Sequence, residues 1–199
     1  MPNSYKYLDP DYTYADPQTG VMRNLHNITD RGMLIDVETL ATEKRAKELE
    51  ITPIQVSDSS ALFAIHRHLF QDIYKWAGEE RTVEISKSGR GFFPRPFFNQ
   101  AKHYIDNLIT EYKKIEKENK PTLSQKLAEI LDAVNHFHPF REGNGRAQRE
   151  FIRVLALEKG YKLNLNPPDD AEVYERYMTG TVNGDVDTLA RLIFERLSE

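Results

Sequence analysis

The 199-residue chain contains no cysteine. Structural disulfides and thiolate metal sites are therefore excluded, and a reducing compartment is the setting this composition allows. An excess of basic charge is missing too. The 27 Lys and Arg are interspersed with 31 Asp and Glu for a net charge of -4, which argues against a nucleic-acid partner. No run of about 18 apolar residues exists to cross a membrane. The start, Met1-Pro2-Asn3-Ser4-Tyr5-Lys6-Tyr7, lacks the apolar stretch of an export signal, so a soluble, cytoplasmic protein is expected. Internal repeats, low-complexity tracts and an interdomain linker are also absent. The length then reads as one domain, residues 1–199, large enough for its own core.

What is present is mostly helical periodicity. Residues 1–36 are the exception: Asp9-Pro10 and Asp16-Pro17 favour turns, so an irregular arm is expected. Its Tyr5, Tyr7, Tyr12 and Tyr14 either pack it onto the domain or line a groove. Strong helix formers cover 38–50, and the stripe Leu62, Ile65, Leu69, Ile73 and Trp76 predicts a helix over 60–76 closed by Gly78. The alternation Thr82-Val83-Glu84-Ile85 and the turn-rich run 87–91 predict a hairpin within 80–96, ended by Pro94 and Pro96. Ala101, Ile105, Leu108, Ile109, Tyr112 and Ile115 mark a helix over 98–117. Thr122 and Gln125, at capping-box spacing, open one that delivers His138, where Pro139 stops it. Further helices are expected from Asn144 to just before Gly160, over 169–178, and from an Asp185 cap onward. The fold class is mainly α, a helical bundle with a small β-hairpin and a helix-loop-helix over 122–159.

The chemistry is concentrated in His138-Pro139-Phe140-Arg141-Glu142-Gly143-Asn144-Gly145-Arg146-Ala147-Gln148-Arg149. Glycines on both sides of Asn144 let successive backbone N–H groups converge on an anion, and a helix starting there adds its dipole. Arg146 and Arg149, three apart, share a helix face and can grip phosphates. Glu142 is a hard oxygen ligand suited to Mg²⁺, and His138 has the proton affinity of a base near neutral pH. Read singly, each piece has a plainer meaning: a turn, a solvated face, a structural histidine. A His-ligated zinc site is disfavoured. His66/His68 and His136/His138 are two apart, which points them to different helix faces, and no further ligands lie at zinc-like spacing; His66, His68 and His103 read as surface or core-edge residues, and His136 as local support.

The stretch resembles the Fic family signature His-x-Phe-x-(Asp/Glu)-Gly-Asn-Gly-Arg-x-x-Arg at every specified position. That resemblance implies a protein adenylyltransferase using ATP and Mg²⁺, with a Tyr, Thr or Ser hydroxyl of a target protein attacking the α-phosphate. By position it makes His138 the base, Phe140 the loop anchor, and Glu142 the metal ligand. Gly143, Asn144 and Gly145 become the anion hole, and Arg146 and Arg149 the clamps on the outer phosphates. It also implies that the hairpin is a flap on which the target docks as an added strand, through Thr82, Val83, Glu84, Ile85, Ser86 and Lys87. An ordinary edge hairpin is the other reading, and Lys87 with Arg90 at its tip would favour an acidic target.

Many relatives carry an inhibitory helix (Ser/Thr)-x-x-x-Glu-(Gly/Asn). Here Glu precedes Gly or Asn only at Glu142-Gly143 and Glu118-Asn119, preceded four residues earlier by His138 and Lys114, so no internal brake is expected. The resemblance then implies restraint by a small antitoxin in trans, or an unrestrained part of an effector delivered into a host cytosol. The alternatives to adenylyl transfer are a non-catalytic nucleotide-binding module and a Fic enzyme moving another phosphate-containing group.

Overall fold

The computed structural model describes residues 5–7, 9, 11–87 and 90–199. Among them are seven α-helices and a three-stranded antiparallel sheet. The helices are α1 (Arg31–Ile51), α2 (Ser60–Phe70), α3 (Phe98–Lys113), α4 (Lys120–Phe137), α5 (Asn144–Glu158), α6 (Ala171–Asn183) and α7 (Val186–Arg196). The expected mainly α class is what the chain adopts.

α4 is the centre. It buries Leu123, Leu127, Ala128, Ile130, Leu131, Val134 and Phe137, apolar on nearly every side, and packs against α3, α5, α6 and α7. The capping that fixes the helix starts differs in detail from expectation. Thr122 does not open α4. Asn119 does, its side chain accepting from Thr122 N–H at 3.3 Å, and Pro121 fits the first turn where its missing donor costs nothing. Asp185 caps α7 as expected, accepting from Thr188 N–H at 2.9 Å. α1 begins seven residues before position 38 because Asp30 accepts from Met33 N–H at 2.8 Å, which ends the irregular arm before residue 36. α2 stops at Phe70 rather than 76, α3 at Lys113 rather than 117, and α6 runs five residues past 178 to Asn183.

The hairpin region departs most from the sequence reading. Its strands are β2 (Ile85–Lys87) and β3 (Arg90–Gly91), so Thr82, Val83 and Glu84 precede the strand rather than forming it. The arm is not wholly irregular: it supplies β1 (Tyr5–Tyr7), paired antiparallel with β2 in the register Tyr5 to Lys87 and Tyr7 to Ile85. Strand order is β1-β2-β3. The exposed backbone edge expected of the flap is thus paired on both sides over Ile85–Lys87. The residues 88 and 89 of the expected tip, and the side chains of Lys87 and Arg90, lie outside the described residues.

Behind the sheet, Tyr14, Val83 and Ile85 form a small cluster against Trp76 and Phe92. Tyr14 is buried, and its hydroxyl accepts from Thr82 N–H at 2.9 Å, which settles its part in the arm as packing.

Candidate active site

His138 is the C-cap of α4 and sits in the left-handed region at φ 45°, a conformation that a non-glycine side chain adopts only when its surroundings impose it. Several contacts hold it. Its backbone N–H donates to Val134 at 3.2 Å, Arg81 Nε donates to its carbonyl at 3.0 Å, and the Phe92 ring stacks on the imidazole at 3.7 Å. His138 Nδ1 lies 2.9 Å from the Asn135 carbonyl, which can only accept, so Nδ1 carries a proton and, in the neutral ring, Nε2 is the nitrogen with the lone pair.

The loop that follows is closed by Asn144. Its side chain accepts from Phe140 N–H at 3.0 Å and donates to the Phe140 carbonyl at 2.8 Å, so the amide acts as a backbone surrogate and the Asn144 contribution to an anion site is its main-chain N–H. Gly143 caps α5 at φ 81°, and a Cβ there would fall 2.3 Å from the Phe70 ring. Only glycine fits. The N–H groups of Asn144 and Gly145, in the first turn of α5, have no carbonyl one turn earlier within the helix to bond, which leaves them for an anion.

His66 is the main correction among the histidines: it is fully buried in the core rather than at its edge. Its ring stacks on Phe140 at 3.7 Å, accepts from Gly78 N–H at Nδ1, and donates from Nε2 to the Glu142 carbonyl, both at 2.9 Å. Burial, more than the neighbouring Arg146, pushes its pKa down to about 3, so it is a neutral spacer. Phe140 is fully buried between His66 and Phe63, as an anchor requires.

The two arginines share a helix face at their Cα atoms yet reach opposite ways. Arg146 turns toward α1, where Nη2 meets Glu38 Oε1 at 2.5 Å. Arg149 turns toward α6, lying 5.4 and 5.3 Å from the ring centres of Tyr174 and Tyr177. Gln148, left without a role in the sequence reading, donates to the Tyr177 hydroxyl at 2.5 Å. Burial raises the Tyr177 phenol pKa, so it stays protonated.

These groups open on one cleft of about 700 Å³. One wall carries His138, Glu142, Gly143, Gly145, Arg146 and Arg149; the opposite wall is α6, with Tyr174, Tyr177, Met178 and Thr181. Asp132, whose carboxyl burial pushes up, also lines the cleft, with Asn135 beside His138. A charged end beside an aromatic wall suits a ligand with phosphates and a flat ring. Among the described residues no group of three or more His, Asp or Glu side chains could hold a metal alone. Glu142 is the one carboxylate in the motif, and Mg²⁺ is commonly held by one or two carboxylates plus phosphate oxygens, so the donor set fits.

Sequence reasoning thus found the motif and the helix that becomes α6, but missed that α6 lines the cleft, and missed Arg81, Glu38 and Asp132. The α6 wall did leave a trace: Tyr174, Tyr177, Met178 and Thr181 repeat at helical spacing and mix aromatic with polar, unlike a core stripe. The flap residues are spread out. Val83 and Ile85 are buried, Thr82 and Glu84 are exposed, and the Glu84 carboxylate accepts from Arg95 N–H at 3.1 Å.

Comparison with known proteins identifies the family. The Fic/DOC family model matches residues 56–156. The chain is 34% identical over 198 residues to the protein adenylyltransferase VbhT of Bartonella schoenbuchensis, covering 98% of this chain and 41% of that protein. It is 33% identical over 175 residues to the probable protein adenylyltransferase y4lH of Sinorhizobium fredii, covering 87% and 90%. The crystal structure of the BepC effector of Bartonella tribocorum, solved with bound AMPPNP, superposes with a TM-score of 0.82 at 21% identity, covering 94% and 97%. The chain belongs to the Fic/DOC family. It spans less than half the length of VbhT but nearly all of y4lH.

Proposed function

We propose that this chain is a protein adenylyltransferase that moves AMP from ATP to a Tyr, Thr or Ser hydroxyl of a target protein. The observation that carries the reading is the convergence of the His138 imidazole, Glu142, the start of α5 and Arg149 on one cleft. The names of VbhT and y4lH support it.

In this reading the polyphosphate lies over the N-terminus of α5, where backbone N–H groups and the helix dipole offset its charge. Arg146 and Arg149 engage the outer phosphates, and the base rests against Tyr174, Tyr177 and Met178. His138 Nε2 takes the proton of the target hydroxyl. The freed oxygen bonds to the α-phosphorus, the bond from that phosphorus to the bridging oxygen breaks, and pyrophosphate leaves with the electron pair. A Mg²⁺ ion held at Glu142 would neutralise phosphate charge in this step. Asn135 keeps the imidazole in the accepting tautomer, and the Phe92 ring shields it from water.

The target docks along the flap where β1 now pairs with β2. Regulation is assigned to a separate protein, with the chain acting either as a toxin held by an antitoxin or as a delivered effector. No helix among the described residues is long and apolar enough to cross a membrane. Incubating purified chain with lysate and ATP labelled at the α- or the γ-phosphate tests the reading. Protein should be labelled from the α position only, and His138→Ala should abolish labelling with ATP affinity held within about threefold, since the base acts on the incoming hydroxyl. Label from the γ position alone would make the chain a kinase instead.

A further inference from the structure

Arg146 is fastened from outside the motif. Glu38, on α1, accepts its Nη2 at 2.5 Å, and the Thr42 hydroxyl lies 3.4 Å from Nη1. The guanidinium stands 4.5 Å over the Phe70 ring, the same ring against which Gly143 is packed. Glu38 is fastened in turn. Its other carboxylate oxygen accepts from the Tyr74 hydroxyl, and its side chain is only 13% exposed. Glu38 lies before residue 56, where the family match begins, so an element outside the matched span reaches a motif residue.

We propose that Glu38, fixed by Tyr74, is a positioning residue for nucleotide binding: it holds the Arg146 guanidinium in one rotamer at the cleft wall, leaving its remaining N–H groups for the polyphosphate. The inference rests on the reading of Arg146 as a phosphate ligand. Two effects of the carboxylate oppose each other. It offsets part of the cation's charge, which weakens attraction for phosphate; it also removes the rotamer freedom that a loose arginine would lose on binding. Positioning prevails because both Glu38 oxygens are already engaged in a partly buried network, so the carboxylate neither follows nor blocks the ligand. A guanidinium carries donors on three nitrogens, and the Glu38 and Thr42 contacts leave Nε and part of each terminal nitrogen unused by them.

The test is calorimetric titration of ATP and of AMP into wild type, Arg146→Ala, Glu38→Ala, Glu38→Gln, Tyr74→Phe and the Glu38→Ala/Arg146→Ala double variant, with thermal melts run in parallel. AMP lacks the outer phosphates. Glu38→Ala should weaken ATP about tenfold while AMP changes less than about twofold, with Glu38→Gln and Tyr74→Phe in between, the effect of a lost charge-assisted hydrogen bond. In the Arg146→Ala background the Glu38→Ala change should have no further effect on ATP, a result that mere structural damage would not give. If Arg146→Ala itself spares ATP, the phosphate reading of Arg146 fails and the inference goes with it. If Arg146→Ala weakens ATP but Glu38→Ala or the isosteric Glu38→Gln leaves it unchanged or tightens it, the phosphate reading stands and the positioning role is overturned.

Discussion

A buried imidazole that bridges an N–H and a carbonyl has to remain neutral, and this makes His66 an acid-sensitive point in the core. Its folded pKa of about 3 lies below the ordinary histidine value of 6.5. The unfolded chain therefore binds a proton that the folded chain refuses. The stabilisation is complete above pH 6.5 and is lost progressively as pH falls from 6.5 toward 3. Replacing His66 with Gln, which can still donate toward Glu142, should lower stability at pH 7 yet reduce the loss between pH 6.5 and 5.0 by up to about 2 kcal/mol, at about 1.4 kcal/mol per pH unit. Urea titrations of both proteins at the two pH values measure it; parallel losses would place the acid sensitivity elsewhere. Gly143 offers a second test at this scale. Gly143→Ala sets a methyl into the Phe70 ring at a positive φ, so it should cost on the order of 2 kcal/mol and most of the transfer activity. Labelling by Gly143→Ala at the wild-type rate would show that the loop tolerates another shape.

At the scale of elements, Arg81 joins the flap to the base. Its fully buried guanidinium donates to the carbonyls of Val83 and Phe93 at 2.6 Å each, one on either arm, and to the carbonyl of His138 at 3.0 Å. A lysine cannot span these acceptors with a fork, so Arg81→Lys should lower stability by about 3 kcal/mol, measured by chemical denaturation. The contrast with the motif explains what could be read from sequence. The twelve residues from His138 to Arg149 were legible because they are contiguous, and Asp185 because it acts within one turn of the helix it caps; Asn119 and Asp30 act as locally but were passed over for Thr122 and for position 38. Arg81 to His138, His66 to Glu142 and Arg146 to Glu38 are separated by 57, 76 and 108 residues, and no local pattern marks such pairs. β1 escaped for a related reason: an edge pairing of three residues takes its register from β2, not from its own alternation. It also bears on docking. If a target adds to the β2 edge, then a chain lacking residues 1–8 should label protein faster, with ATP affinity unchanged, because the internal strand no longer competes for that backbone. Equal rates in the two chains would place the target on another edge. Asp9 stays in this variant because its carboxylate accepts from the N–H groups of Thr13, Tyr14 and Ala15 and so keeps the rest of the arm docked.

At the scale of the molecule the question is what restrains the cleft. α6 closes one side of it, and Arg149 rests there on two tyrosine faces. Among the described residues no Asp or Glu forms an ion pair with Arg149, whereas Arg146 has Glu38. A tyrosine face attracts a cation by only about 0.5–2 kcal/mol, while phosphate offers charge-assisted hydrogen bonds. Phosphate should therefore draw Arg149 off the α6 wall without help. The purified chain should accordingly label itself or a lysate protein with no activating substitution, and Arg149→Ala should reduce that labelling by on the order of a hundredfold, near the cost of removing one preorganised donor to charge that develops in the transition state, here on the leaving pyrophosphate. A protein partner that silences the chain is expected to do so with a carboxylate set against Arg149, since a bidentate carboxylate competes directly with phosphate for the same fork. Adding such a partner should weaken ATP far more than AMP, measured by titration of each. If the intact chain is instead inert in every lysate and gains activity on truncation at either end, a restraint lies within the chain, and the absence of a carboxylate on Arg149 does not leave the cleft open.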